Sequence, residues 1–208
     1  MIKEKLLDPS ARLIIAIDGR AGSGKGTIAK LIASKFGLIH CETSLFYRGL
    51  ALEVLKRSKS MSFEEIIALS AQNFQISSSP VLYTPEVTEM ASIIAAIPEV
   101  RENLNKPQKD FIANNNRVVM EGRGIATAIA PDADLKLFIT ADINARAERR
   151  YKQMNGSVPL EQIKADLEAR DLRDSSRKAA PLEKTHDAVE IDTTHNTPQE
   201  IIARILKL

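Results

Sequence analysis

Nine consecutive residues, Gly19-Arg20-Ala21-Gly22-Ser23-Gly24-Lys25-Gly26-Thr27, carry the chemistry of a phosphate-holding loop. Glycines remove the Cβ atoms that would keep a backbone away from phosphate oxygens, and they adopt positive φ at little cost. Backbone N–H groups then converge on the anion at the positive end of a following helix. The GxxxxGK spacing predicts that Lys25 reaches the β and γ phosphates of ATP and offsets charge as the γ group moves. Gly26 fills the slot where Ser or Thr commonly follows the lysine. Thr27 stands one place later and is expected to serve the α and β phosphates or a metal-bound water. Glu121 ends an apolar run, where a carboxylate holds Mg²⁺ directly or through water.

A phosphoryl donor needs an acceptor, and arginines are spaced to supply its site. Tyr47-Arg48 and Arg123 each follow a short β-forming run, the place where open α/β sheets bind ligands. Arginine presents a planar fork that matches phosphate bidentately. Arg170, Arg173, Asp174 and Arg177 share one helical face. Such a face is either a solvated, ion-paired surface or a lid closing on phosphates. The like-charge pair four apart favours the lid. Arg146, Arg149 and Arg150 either line the same cleft or are ordinary surface charges. His40, His186 and His195 have no metal-ligand spacing and read as structural, and Cys41 reads as a small buried residue.

These side chains require a scaffold of alternating strands and helices. The apolar run 13–17 reads as a strand buried on both faces of a parallel sheet. Further strands are expected at 38–40, 117–120, 135–139 and 188–191. Helices are expected at 27–36, 44–57 (with Leu45, Leu52 and Leu55 inward), 62–72, 86–96, 99–115, 142–154, 160–174 and from Pro198. Residues 74–87 mix Ser, Pro and β-formers and predict a small β excursion. Strand–helix alternation predicts an α/β fold, a parallel five-stranded sheet flanked by helices.

Bulk composition narrows the class. The 208 residues suffice for one core with inserts, and a formal net charge of +2 does not mark a nucleic-acid binder. A lone cysteine excludes an internal disulfide and fits a reducing compartment. The charged start lacks the apolar segment of a signal peptide, and no apolar run approaches the ~18 residues that span a bilayer. The expectation is a cytoplasmic monomer acting on small-molecule nucleotides, with no nucleic-acid or membrane partner.

The GKGT ending resembles the P-loop nucleoside monophosphate kinases. From about residue 14 to 206 the chain resembles bacterial cytidylate kinases. The phosphate loop, Tyr47-Arg48, Ala91-Ser92, Pro98-Glu99-Val100-Arg101, Gly122-Arg123 and the segment from Arg170 through Ala179-Ala180-Pro181-Leu182 occur in that family's order. The resemblance implies the nucleoside monophosphate kinase fold, with a core of about 12–60, 116–145 and 186–208. It implies an acceptor-binding insert of about 61–115 and a lid of about 150–182. It implies transfer from ATP to CMP or dCMP with Mg²⁺, and catalytic roles for Lys25, Arg123 and Arg177. Thr43, Arg48, Arg123 and Arg177 would bind the acceptor nucleotide, with Tyr47 alongside. Ser92 and Arg101 would face cytosine, and Arg170 and Asp174 the ribose. The family usually has Pro at Arg20, Asp at Glu42, Gly at Ser44 and Asp at Gly124. The last departure implies a weaker preference for CMP over UMP, restored by Gly124→Asp. A UMP or broad pyrimidine kinase, or a nucleotide-binding regulator without turnover, are the competing readings.

Overall fold

The computed structural model describes residues 2–57, 61–72 and 79–208. Among them five parallel strands form one sheet in the order β2-β3-β1-β4-β5. They are β1 (Leu13–Gly19), β2 (Ile39–Glu42), β3 (Arg117–Gly122), β4 (Leu135–Thr140) and β5 (Val189–Asp192). All seven residues of β1 are buried. Its alternation serves two cores: Leu13, Ile15 and Ile17 join one apolar cluster, Ile14 and Ala16 the other.

The first core is closed by α1 (Ile2–Leu7), α2 (Lys25–Phe36) and α9 (Pro198–Ile205). Arg117 fastens α1 and the end of α2 to the sheet. Its guanidinium donates to the carbonyls of Asp8 at 2.6 Å, Ala11 at 2.9 Å and Phe36 at 2.8 Å. These carbonyls lie in the loop after α1 and at the end of α2, where a helix terminus leaves acceptors over.

A separate apolar cluster joins α3 (Ser44–Arg57), α4 (Phe63–Ser70), α5 (Pro85–Ile94) and α6 (Pro98–Ala113). In α3 the fully buried positions are Leu50, Ala51 and Val54; Leu52 and Leu55 pack partly buried beside them, and Leu45 is half-buried. Ser62 caps α4 in a reciprocal box with Glu65. The expected β excursion at 74–87 is corrected. Residues 73–78 lie outside the described residues, while Pro80–Tyr83 form a 3₁₀ turn and Pro85 opens α5. Proline at a first helical position loses no hydrogen bond, which tips both stretches to helix.

α7 (Ile143–Gln153) and α8 (Leu160–Ser176) form a helical arm, turning at Asn155 and Gly156, both with positive φ. Its small apolar seam includes Ala21 of the phosphate loop. No helix of the described residues is long and apolar enough to cross a membrane.

Candidate active site

The carboxyl ends of β1, β2 and β3 lie side by side, and the predicted site residues gather there. After β1 the loop turns through Gly22 and Gly24, with φ of 74° and 86°, and α2 begins at Lys25. The left-handed backbone at both positions is open to glycine at little cost. Two of the loop's carbonyls accept from side chains outside it. Arg146 Nη1 donates to Ala21 O at 3.1 Å, and Thr193 Oγ1 to Ser23 O at 2.7 Å. The first N–H groups of α2, which no helix satisfies internally, are the groups left for an anion.

A cavity of about 1080 Å³ opens over this loop, lined by Ala21, Gly22, Gly24, Lys25, Gly26 and Thr27. Gly19, Arg20 and Ser23 do not line it. Ser23 is fully buried, and Arg20 lies exposed near Asp171. Burial, and after it the Arg123 charge, push the Lys25 ammonium down to about 8.

A second cavity of about 530 Å³ adjoins the first. Thr43, Tyr47, Arg48, Ser92, Arg101, Arg123, Arg170, Asp174 and Arg177 all line it. Arg48, Arg123 and Arg170 line both cavities and mark their junction. Five arginines against one aspartate give the smaller cavity a strong positive bias. Asp174 sits among them, its Oδ2 2.5 Å from Arg123 Nε and its Oδ1 3.3 Å from Arg177 Nη1. Burial would raise its carboxyl, but Arg123, Arg170 and Arg177 outweigh that and hold it low. Burial and the neighbouring Arg123 charge push Arg170 down to about 9. Burial and Arg101 push Arg177 down to about 10. Crowded cations of this kind await an anion.

Several predicted residues have partners that spacing did not reveal. Arg48 Nη1 donates to Leu82 O at 2.6 Å and Thr88 Oγ1 at 2.7 Å. Arg173 turns away from the cluster to a bidentate pair with Glu89 of α5, at 2.7 and 3.0 Å. Of the arginines on α7, Arg149 is spent on Thr193 and Thr194 and only Arg150 faces the larger cavity. Arg146 is buried within α7. His40, read from sequence as structural, lies 3.2 Å from the Glu121 carboxylate.

Glu121 is buried, and its Oε1 would lie 2.9 Å from a Cβ built on Gly26, so it faces the phosphate loop directly. Burial would raise its carboxyl. The His40 contact and the Lys25 and Arg123 charges prevail and keep it below the usual range. Among the described residues no three His, Cys, Asp or Glu side chains gather as a metal chelate would need. One ionised carboxylate facing a phosphate loop suits a hydrated Mg²⁺, whose other ligands are waters and phosphate oxygens.

Asp18, at the end of β1, escaped sequence reading. Its carboxylate accepts from the backbone N–H groups of Ile125 and Ala126 at 2.9 and 2.8 Å. It thereby fixes the loop carrying Arg123 and Gly124, which continues into a π turn at Ile125–Ile129. The available signal was an acidic residue closing a wholly apolar strand.

A family model described as Cytidylate kinase matches residues 15–208. A cytidylate kinase of Rickettsia felis is 41% identical over 98% of this chain and 94% of its own length. One from Ligilactobacillus salivarius is 36% identical over 95% and 96%. Among solved structures, a gluconokinase from Sinorhizobium meliloti superposes with a TM-score of 0.55 at 15% identity, covering 94% of this chain and 90% of that one. An uncharacterized protein from Eubacterium ventriosum gives 0.54 at 16%, covering 94% and 97%. These two likenesses speak to the fold.

Proposed function

Because the chain belongs to the cytidylate kinase family, we propose that it transfers the γ-phosphoryl group of ATP to CMP or dCMP, releasing ADP and CDP or dCDP. The observation that carries this reading is the junction of the two cavities at Arg48, Arg123 and Arg170. A donor triphosphate on the loop and an acceptor phosphate in the smaller cavity would meet there.

The acceptor's phosphate is already anionic, so no general base is needed. In-line transfer depends on positioning and on neutralising charge. Lys25 holds the donor's terminal phosphates. Arg123 and Arg177 stabilise the group in flight. Within the loop 19–27, Ala21, Gly22, Gly24 and the first turn of α2 wrap the donor, and Thr27 contributes its hydroxyl. Arg48, Thr43 and Tyr47 seat the acceptor phosphate, Arg170 and Asp174 its ribose, and Ser92 and Arg101 its base. Mg²⁺, held through water by Glu121, would supply charge neutralisation across the donor phosphates. The insert at about 61–115 and a lid at about 150–182 complete the enzyme around a core of about 12–60, 116–145 and 186–208. It works as a cytoplasmic monomer on free nucleotides, without nucleic-acid or membrane partners.

ADP release from ATP, coupled to a chromogenic readout, with CMP, dCMP, UMP and AMP as acceptors, tests the reading. Turnover with CMP and dCMP well above AMP is expected. Absence of CMP-dependent ADP release overturns it.

A further inference from the structure

Two neutral polar atoms at the smaller cavity have no partner among the described residues. Asn105 Oδ1 and Ser92 Oγ are buried and unbonded, and both residues line the cavity. A buried acceptor left without a donor is costly, and folded chains keep few of them. Asparagine is also a poorer helix former than leucine, yet residue 105 lies inside α6. Two penalties thus fall on one position.

The surroundings suggest what offsets them. Arg101, Asn105 and Gln108 stand at i, i+4 and i+7 on α6, so one helix face looks into the cavity. Arg101 and Gln108 each have a hydrogen bond of their own. Arg101 Nε donates to Ala95 O at 2.8 Å, and its guanidinium lies 5.4 Å from the centre of the Tyr47 ring. Gln108 Nε2 donates to Leu104 O at 2.8 Å. Arg48, Arg123 and Arg170 mark the junction with the donor cavity, where an acceptor's phosphate belongs. Ser92, Ala95, Asn105, Gln108 and Ile129 line the smaller cavity alone. On the reading above Ser92 and Arg101 face the base, and Asn105 stands one helical turn from Arg101 on the same lining face.

We propose that Asn105 is a specificity-determining residue, whose Oδ1 accepts a hydrogen bond from the exocyclic amino group of the acceptor's base. This rests on the reading of the acceptor as CMP. Uracil carries a carbonyl oxygen in place of that amino group and offers Oδ1 no donor. The buried Asn105 oxygen is then left unsatisfied or its amide must turn, and the acceptor binds less well.

The test compares Asn105→Leu and Asn105→Asp with the parent chain, measuring kcat/KM for CMP and for UMP with ATP, and Tm. Losing one neutral hydrogen bond, Asn105→Leu lowers the CMP-to-UMP ratio by roughly three- to tenfold. The loss falls in KM for CMP, while KM for ATP is unchanged. Its Tm equals or exceeds the parent's, because an orphaned oxygen has been removed from a helix. Asn105→Asp raises the ratio, since a carboxylate accepts more strongly and repels a carbonyl oxygen. A ratio equal to the parent's in both variants overturns the proposal. So does an Asn105→Leu enzyme with lowered Tm and an unchanged ratio, the behaviour of a purely structural asparagine. A parent that phosphorylates neither CMP nor UMP refutes the proposed function and this inference together. A CMP-selective parent with indifferent variants refutes the inference alone.

Discussion

Arg146 and Asp171 join the two helices of the arm through an ion pair of 2.7 Å between Nη1 and Oδ2, and the same nitrogen donates to the phosphate loop at Ala21 O. One buried guanidinium therefore holds together α7, α8 and the backbone beneath the donor phosphates. Removing one partner of a buried pair costs about 3–5 kcal/mol, because the other charge is stranded. Arg146→Met is expected to lower unfolding stability in urea by that order and to raise KM for ATP. Adding Asp171→Leu relieves the stranded charge. The double variant should regain much of the stability without regaining ATP affinity. Recovery of both would mean that Arg146 does not order the loop.

Lys25→Met keeps the loop and deletes its cation. Loss of one preorganised electrostatic contact costs ~10²–10³ in kcat. Steady-state rates at saturating ATP and CMP check this. A variant within a few-fold of the parent would remove Lys25 from the mechanism.

The pH dependence of Lys25 follows from its pKa of about 8 against an ordinary 10.5. The charged form serves phosphate binding, so kcat/KM for ATP should fall as pH rises through about 8. Bound phosphates favour the ammonium, so kcat itself stays level to higher pH. Stability runs the other way. Below about 8 the folded chain must hold the ammonium in a poorly solvated site. Between about 8 and 10.5 the unfolded chain binds a proton that the folded chain lacks, and this group's contribution to stability rises. Thermal midpoints across that window should climb relative to those of Lys25→Met. Parallel curves would contradict the assignment.

Gly124 has φ of 86°, and a Cβ built there would lie 3.1 Å from Ala180 Cβ. Ala180 itself has positive φ, 46°. The sequence alone presents Gly124→Asp as a simple gain of base recognition; the backbone attaches a cost. A left-handed conformation disfavours a side chain by about 1–2 kcal/mol. Gly124→Asp should lower Tm accordingly, and adding Ala180→Gly should recover part of that loss. Unchanged Tm in Gly124→Asp would show that the turn yields freely.

The scaffold was legible wherever a single local rule sufficed. The apolar run of β1 and the glycines before α2 each specify their own structure. That Arg48 and Arg123 would line one cleft was legible because a planar cation just past a strand end faces the place where open α/β sheets bind ligands. What sequence concealed were pairings across distance. Asp18 with the loop after β3, His40 with Glu121, and Arg173 with Glu89 join residues far apart in the chain, and no periodicity encodes them. Residues 80–87 misled for another reason: β-forming side chains sat beside two prolines, and helix initiation prevailed.

The thiol of Cys41 lies buried in β2, and burial, ahead of the nearby Glu121 and Glu42 charges, pushes it up to about 12. Thiolate is the reactive species, so at neutral pH the native chain is all but inert to maleimides and alkylating reagents. Leu172, on α8, is 68% exposed. A fluorophore placed by Leu172→Cys would therefore report from one known point on the arm, without first deleting the native cysteine.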